Sequence, residues 1–247
     1  MATATLGIDV GLSGARAAVM TLDGELLGAA RVLYNRPQAA DAASAADPAE
    51  GDPLAWQAAA ERAACAALAE APDCTIAAIG VGALGPCPVL LDEDLRPLGP
   101  SPLFALDPRA EAFRHLLAAT QGLPDAQLGP DHALPKLFWL RHETPARLAR
   151  ATQVCDATGF LVAQLTGQAV MDPVTLCDYQ AGGLASPVPL ARVVPGDSVA
   201  GGLTAAAAAR LGLPAGTPVA AGSYDSYVDV AGTGAPTAGG TAPAASG

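Results

Sequence analysis

Apolar and polar positions first settle into a recognisable pattern at Thr5-Leu-Gly-Ile-Asp-Val10, a short β-type run that ends in an acid and passes directly into Gly11-Leu-Ser-Gly14. Residues 15–21 and 26–33 form two further β-type runs on either side of Asp23-Gly24, a dipeptide typical of tight hairpins. The first three strands are therefore expected to form an antiparallel meander. Residues 37–53 carry no periodicity and read as an exposed loop. A helix is expected from Asp52, a capping residue followed by Pro53, with Leu54, Ala58, Arg62, Cys65 and Leu68 near helical spacing. Residues 75–82 then read as a buried strand and 89–91 as another, so strand, helix and strand predict an α/β unit.

Farther along, residues 109–119, 134–141 and 160–165 have helical patterns, 153–155 a short strand, and 203–211 an alanine-rich helix stopped by Gly212 and Pro214. Residues 218–222 read as a strand running into Ser223-Tyr-Asp225-Ser226, with a helix starting near Tyr227. From 233 to 247 only Gly, Ala, Pro, Thr and Ser remain. One domain over 1–232 is expected, with 233–247 as a flexible tail or the start of a connection to a missing second domain.

Composition narrows this picture. Apolar residues make up 51% of the 247 and charged residues 15%, which is the composition of a folding chain. Thirteen Lys and Arg against 24 Asp and Glu leave a net charge of −11, and Lys136 is the single lysine. Nucleic acid and anionic membrane surfaces, which demand a basic face, are thereby excluded as partners. Aromatics are only 4%, so the core is expected to be built from small side chains. No apolar run is long enough to span a bilayer, and Asp9 falls where a signal peptide would be apolar; a cytoplasmic protein is expected. The five cysteines form no CxxC pair and are read as small buried hydrophobes. His115, His132 and His142 lack metal-ligand spacing and are read as surface residues, and Trp56 and Trp139 as packing groups.

Two groups of residues can carry chemistry. In Asp9-Val-Gly11-Leu12-Ser13-Gly14, followed by Arg16, a glycine turn can aim backbone N–H groups at an anion, with the serine and arginine adding donors. Asp9 could hold Mg²⁺ through water, since that ion takes few protein carboxylates. The alternative is a plain hairpin loop. The second group, Gly222-Ser-Tyr-Asp225-Ser226, places a carboxylate where a buried strand meets a helix start, a position suited to taking a proton from a hydroxyl. The alternative there is a helix cap.

Taken in order, four segments resemble the amino-terminal half of the FGGY carbohydrate kinases: Gly7-Ile-Asp-Val-Gly-Leu-Ser13, Leu134-Pro-Lys-Leu-Phe-Trp-Leu-Arg141, the run from Ala157 to Gly167 ending Leu-Thr-Gly, and Val219-Ala-Ala-Gly-Ser-Tyr-Asp225. The resemblance implies an α/β, ribonuclease-H-like (actin-like) fold and phosphorylation of a sugar or polyol with ATP and Mg²⁺. It further implies Asp225 as catalytic base, Gly11, Leu12, Ser13, Gly14 and Arg16 at the phosphate, Asp9 at the metal, and Asp107 and Arg109 with Asp225 at the substrate; the alternative for Asp107 and Arg109 is a loop acid with a helix-start arginine. The adenosine-binding half of such kinases has no counterpart in this chain, which is expected to be inactive alone and, through its uncovered apolar face, able to form a homodimer.

Departures from the family pattern are specific. Leu12 stands where the family has threonine, Leu84-Gly85-Pro86-Cys87 where xylulose kinases have Gln-Met-His-Gly, and Ala105-Leu106-Asp107 where they have Trp-Asn-Asp. Lost hydrogen-bonding groups put the usual pentulose in doubt. A non-catalytic binding or regulatory domain on the kinase fold is the second reading.

Overall fold

The computed structural model describes residues 1–34, 49–104, 106–122, 128–129 and 131–233. β1 (Ala2–Gly11), β2 (Gly14–Thr21) and β3 (Leu26–Leu33) form the expected antiparallel meander. Gly24 takes φ +89°, a left-handed conformation that glycine adopts without strain, in the second turn. Along β1, Ala4, Leu6, Ile8 and Val10 are buried on one face, while Gly7, Asp9 and Gly11 lie on the other.

After β4 (Glu50–Gly51) comes α1 (Pro53–Ala69), with Pro53 in its first turn and the Asp52 carboxylate accepting from Leu54 N at 2.9 Å. Its buried face differs from the expected one. Trp56, Ala59, Ala60, Ala63, Ala64 and Ala67 pack inward, whereas Leu54, Ala58, Arg62 and Cys65 are exposed. The cause is close approach to the sheet: a β-carbon on Gly28 of β3 would collide with the Ala67 carbonyl, so only a face of small side chains fits here. The expected loop over 37–53 lies mostly outside the described residues, and where it is described it holds β4 and the helix start instead.

α1 crosses over to β5 (Cys74–Ala83), which runs parallel to β1. β6 (Val89–Leu91) and β7 (Ser101–Pro102) follow, then a 3-10 turn at Pro108–Ala110, α2 (Glu111–Gln121), α3 (Ala133–Glu143) and α4 (Pro145–Ala149). The remaining elements are β8 (Gln153–Cys155), α5 (Ala157–Thr166), β9 (Val170–Met171), α6 (Pro173–Cys177), β10 (Arg192–Val193), β11 (Val199–Gly202), α7 (Ala205–Leu211), β12 (Pro218–Ala220), β13 (Ser223–Tyr224) and α8 (Asp225–Gly232). Among the described residues the main sheet has the order β11-β12-β5-β1-β2-β3, with β13 also paired to β5. It is a mixed sheet opening on a meander and flanked by helices. Alanines of α1 and α7 join Phe160, Val162 and Leu165 of α5 and the inward residues of β1, β2 and β5 in the principal core, and a second cluster around Leu137, Leu140 and Tyr179 packs under β6 and β8.

Of the cysteines only Cys87 and Cys155 are buried, while Cys65 and Cys177 are exposed, so the uniform reading as core residues is corrected. All but the first residue of the segment 233–247, and Ala105, lie outside the described residues.

Candidate functional site

Sheet register assembles the first part of the site. Asp9 on β1 pairs with Arg16 on β2 and with Gly82 on β5, and Gly82 pairs in turn with Ser223 on β13. One row across the sheet thus carries Asp9 to within reach of the chain that delivers Asp225 two residues later. Arg16 Nη1 donates to Asp9 Oδ2 at 2.9 Å. Burial pushes the Asp9 carboxyl above its ordinary value against the pull of Arg16, and the negative charges of Asp225 and Asp229 add to the rise. Three carboxylates and one guanidinium therefore share a local field at the sheet edge.

Asp225 opens α8, and its Oδ1 accepts from Ser226 N at 2.7 Å. The capping position belongs to Tyr224, whose side chain makes no capping bond, so Asp225 is not the cap of this helix. α8 starts directly over the sheet at Gly82, where a β-carbon would lie in ordinary contact with Val228 and the Asp225 α-carbon, at 3.4 and 3.7 Å.

The loop between β1 and β2 has unequal glycines. Gly14 has no room for a β-carbon because the Val32 carbonyl lies against it, whereas Gly11 faces open space. Tyr34 ties the loop from below by donating its hydroxyl to the Gly11 carbonyl, and burial first of all pushes that phenol up to about 12, so it remains a donor. Leu12 packs toward Tyr34, Trp56, Leu84 and Leu103. Its side chain serves packing, and the loop offers an anion only main-chain groups and Ser13.

A hollow of about 280 Å³ is lined by Tyr224 and Ser226, the residues on either side of Asp225 in the chain, with Gly85, Pro86, Phe104, Asp131, His132, Asp178 and Tyr227. The turn forming its floor is held by two buried ionisable side chains, Lys136 and Asp156. Lys136 Nζ donates to the Pro86 and Leu103 carbonyls at 3.1 and 3.2 Å, and Asp156 Oδ2 accepts from Cys87 N at 2.8 Å. Burial dominates both, lowering the lysine and raising the Asp156 carboxyl to about 8. Tyr179 donates to Asp156 at 3.1 Å, and Tyr224 to Asp178 at 2.9 Å.

The sequence profile of the amino-terminal domain of the FGGY family of carbohydrate kinases matches residues 4–180. The chain belongs to that family. No curated protein sequence matches it. Among solved structures, the FGGY chain is similar to xylulose kinase from Rhodospirillum rubrum (23% identity, TM-score 0.80, 95% of this chain and 51% of that one). It is also similar to a xyloylose kinase from Brucella ovis (26%, 0.76, 90% and 49%) and to gluconate kinase from Lactobacillus acidophilus (18%, 0.77, 92% and 49%). This FGGY chain therefore spans about half the length of each, and its fold is the actin-like fold of their first halves.

Against this frame the residues divide. Asp9, Arg16 and Asp225 come together with the Gly11–Gly14 loop at the β1 end. Asp107 and Arg109 do not join them: Arg109 is held by Asp107 and, at 2.7 Å, by Glu50, and its guanidinium lies 4.0 Å from the Trp139 ring centre. Both are occupied with each other, and neither lines the hollow beside Asp225. His132, read as a surface residue, instead forms part of that hollow, with Asp178 and Tyr224, which carried no signal of their own. His115 and His142 are exposed as expected. Among the described residues no three His, Cys, Asp or Glu side chains converge as a metal cage. Asp9 as a lone carboxylate fits a Mg²⁺ that keeps its waters and takes its other ligands from phosphate.

Proposed function

We propose that this chain is the sugar-binding, base-supplying half of a kinase that phosphorylates a hydroxyl of a sugar or polyol with ATP. The observation that carries the reading is the position of Asp225 at the start of α8, where its charge acts on the Asp9–Arg16 pair and its chain neighbours Tyr224 and Ser226 line the hollow. In this reading residues 1–232 are one domain and 233–247 lead toward a second, adenosine-binding half.

Asp225 accepts the proton of a substrate hydroxyl lying in the hollow, and the freed oxygen forms its bond to the γ-phosphorus as the bond to the departing ADP breaks. Main-chain N–H groups of Gly11, Leu12, Ser13 and Gly14, with Arg16, hold the transferring group, so the rate comes from positioning and charge rather than from a covalent intermediate. Asp9 would hold Mg²⁺ through water, and the ion supplies charge neutralisation at the phosphates. Asp107 and Arg109, held by each other, by Glu50 and against the Trp139 ring, are assigned to fixing the turn ahead of α2, not to the substrate. Among the described residues no helix is long and apolar enough to cross a membrane; we place the reaction in the cytoplasm, with ATP. In the isolated chain, exposed Tyr227, Val228 and Val230 on α8 offer the surface for a homodimer.

The test is sugar-dependent ADP release by the chain alone and by the chain joined to a carboxyl-terminal half carrying the adenosine site, over a panel of pentuloses, hexuloses, tetritols and glycerol. Turnover is expected only from the joined protein. Binding of a panel member without turnover in the joined protein would favour the regulatory-domain reading instead.

A further inference from the structure

Three segments distant in sequence meet on the wall of the hollow. His132 caps α3, Asp178 follows α6, and Tyr224 precedes Asp225. Their relative placement is fixed by the main chain, since Leu134 N donates to the Asp178 carbonyl at 3.1 Å. Tyr224 uses its hydroxyl on Asp178 Oδ2, which leaves Oδ1 facing His132 Nε2 across 3.7 Å. That gap is too long for a hydrogen bond, and it separates a donor from an acceptor. Among the described residues His132 Nδ1 is buried without a partner, so the ring proton is assigned to Nε2, facing the carboxylate.

A hydroxyl is the group that satisfies both sides at once, accepting from Nε2–H and donating to Oδ1. We propose that Asp178 and His132 together read one hydroxyl of the polyol whose neighbouring hydroxyl is presented to Asp225, and that the site takes a neutral polyol or ketose in preference to a sugar acid. The inference rests on the kinase reading above. The charge of the wall supports the second part. Asp131 and Asp178 line it, and among the described residues no Lys or Arg side chain does, the Lys136 ammonium being turned into the Pro86 and Leu103 carbonyls. A substrate carboxylate would face the Asp178 carboxylate, and no Lys or Arg side chain of the described residues lines the wall to receive it. Gly85 and Pro86 give the floor no polar side chain, so hydroxyls of the ligand are read from the walls, where the His132–Asp178 pair lies.

The experiment is saturation-transfer NMR on the 247-residue chain with glycerol, a tetritol, a pentulose, a hexulose, their monodeoxy analogues and gluconate. It compares wild type with Asp178→Asn, His132→Phe and the double variant. Wild type should bind a neutral member more tightly than gluconate. Each single variant should weaken that ligand about 10- to 100-fold, the worth of a hydrogen bond to a charged group. The double variant should lose little more, since both residues serve one hydroxyl. One deoxy analogue should bind wild type and variants equally weakly. His132→Phe removes an orphaned buried nitrogen and keeps the ring, so its thermal midpoint should hold and a loss of binding would not reflect unfolding. If a neutral polyol binds wild type and both variants within twofold, or gluconate binds best, the inference is wrong while the kinase reading stands. If no panel member binds wild type, the sugar site itself is refuted and this inference with it.

Discussion

The ring of Tyr224 occupies the volume that a β-carbon on Gly85 would need, and Asp156 Oδ1 would lie 2.8 Å from the same carbon. The turn after β5 and the residue before Asp225 are thereby interlocked, and neither can move without the other. Gly85→Ala should destabilise the fold by about 1–3 kcal/mol, the usual cost of overpacking, and shift the Tyr224 ring. Gly11→Ala, where nothing lies within 4 Å, should change stability by less than about 0.5 kcal/mol. Urea midpoints of the two variants check this, and equal midpoints would mean that the interlock carries no energy.

Asp156 gives the fold a pH dependence of known sign. Its carboxyl is raised by burial from an ordinary 3.8 to about 8, so between those values the folded chain keeps a proton that the unfolded chain has lost. Stability contributed by this group is therefore complete below about pH 4 and falls as pH rises toward 8. Asp156→Asn, which can still cap α5, should remove that fall. Thermal melts from pH 5 to 8 should show a smaller downward slope for the variant than for wild type, and identical slopes would place the proton elsewhere.

Local signals in the sequence reached as far as local physics extends. The Asp23-Gly24 turn and the Asp52-Pro53 cap announced the meander and α1 because each depends on a few adjacent residues. The buried face of α1 was not legible, since alanine carries little hydrophobic signal and its selection came from the approach of Gly28 on another element. Likewise Asp9 and Asp225 stood out as acids at strand ends, but the row Arg16–Asp9–Gly82–Ser223 that brings them together exists only through sheet register. His132, Asp178 and Tyr224 come from three segments without shared spacing, and only the fold joins them, through the bonds from Leu134 N to the Asp178 carbonyl and from the Tyr224 hydroxyl to Asp178 Oδ2.

Asp9 is the group most exposed to loss of the metal. In the joined two-half protein Asp9→Asn should lower turnover about 10- to 100-fold, the usual cost of an outer-sphere metal contact, with sugar affinity unchanged because Asp9 does not line the hollow. It should also release Arg16 from its 2.9 Å ion pair. Raising Mg²⁺ should recover part of the rate. A collapse of sugar binding in this variant would make Asp9 a structural residue.

The account stands most directly on Asp225. Among the described residues its carboxylate accepts from Ser226 N and does not cap α8, so Asp225→Asn should leave the unfolding midpoint close to wild type and weaken sugar binding no more than Asp178→Asn does. Loss of a positioned base costs about 10²–10⁴ in rate. The deciding measurement is single-turnover phosphorylation of the bound polyol by the joined protein carrying Asp225→Asn. A rate reduced by that factor, with sugar and nucleotide still bound, is the predicted result; transfer within a few-fold of wild type would contradict the assignment of Asp225 as the base.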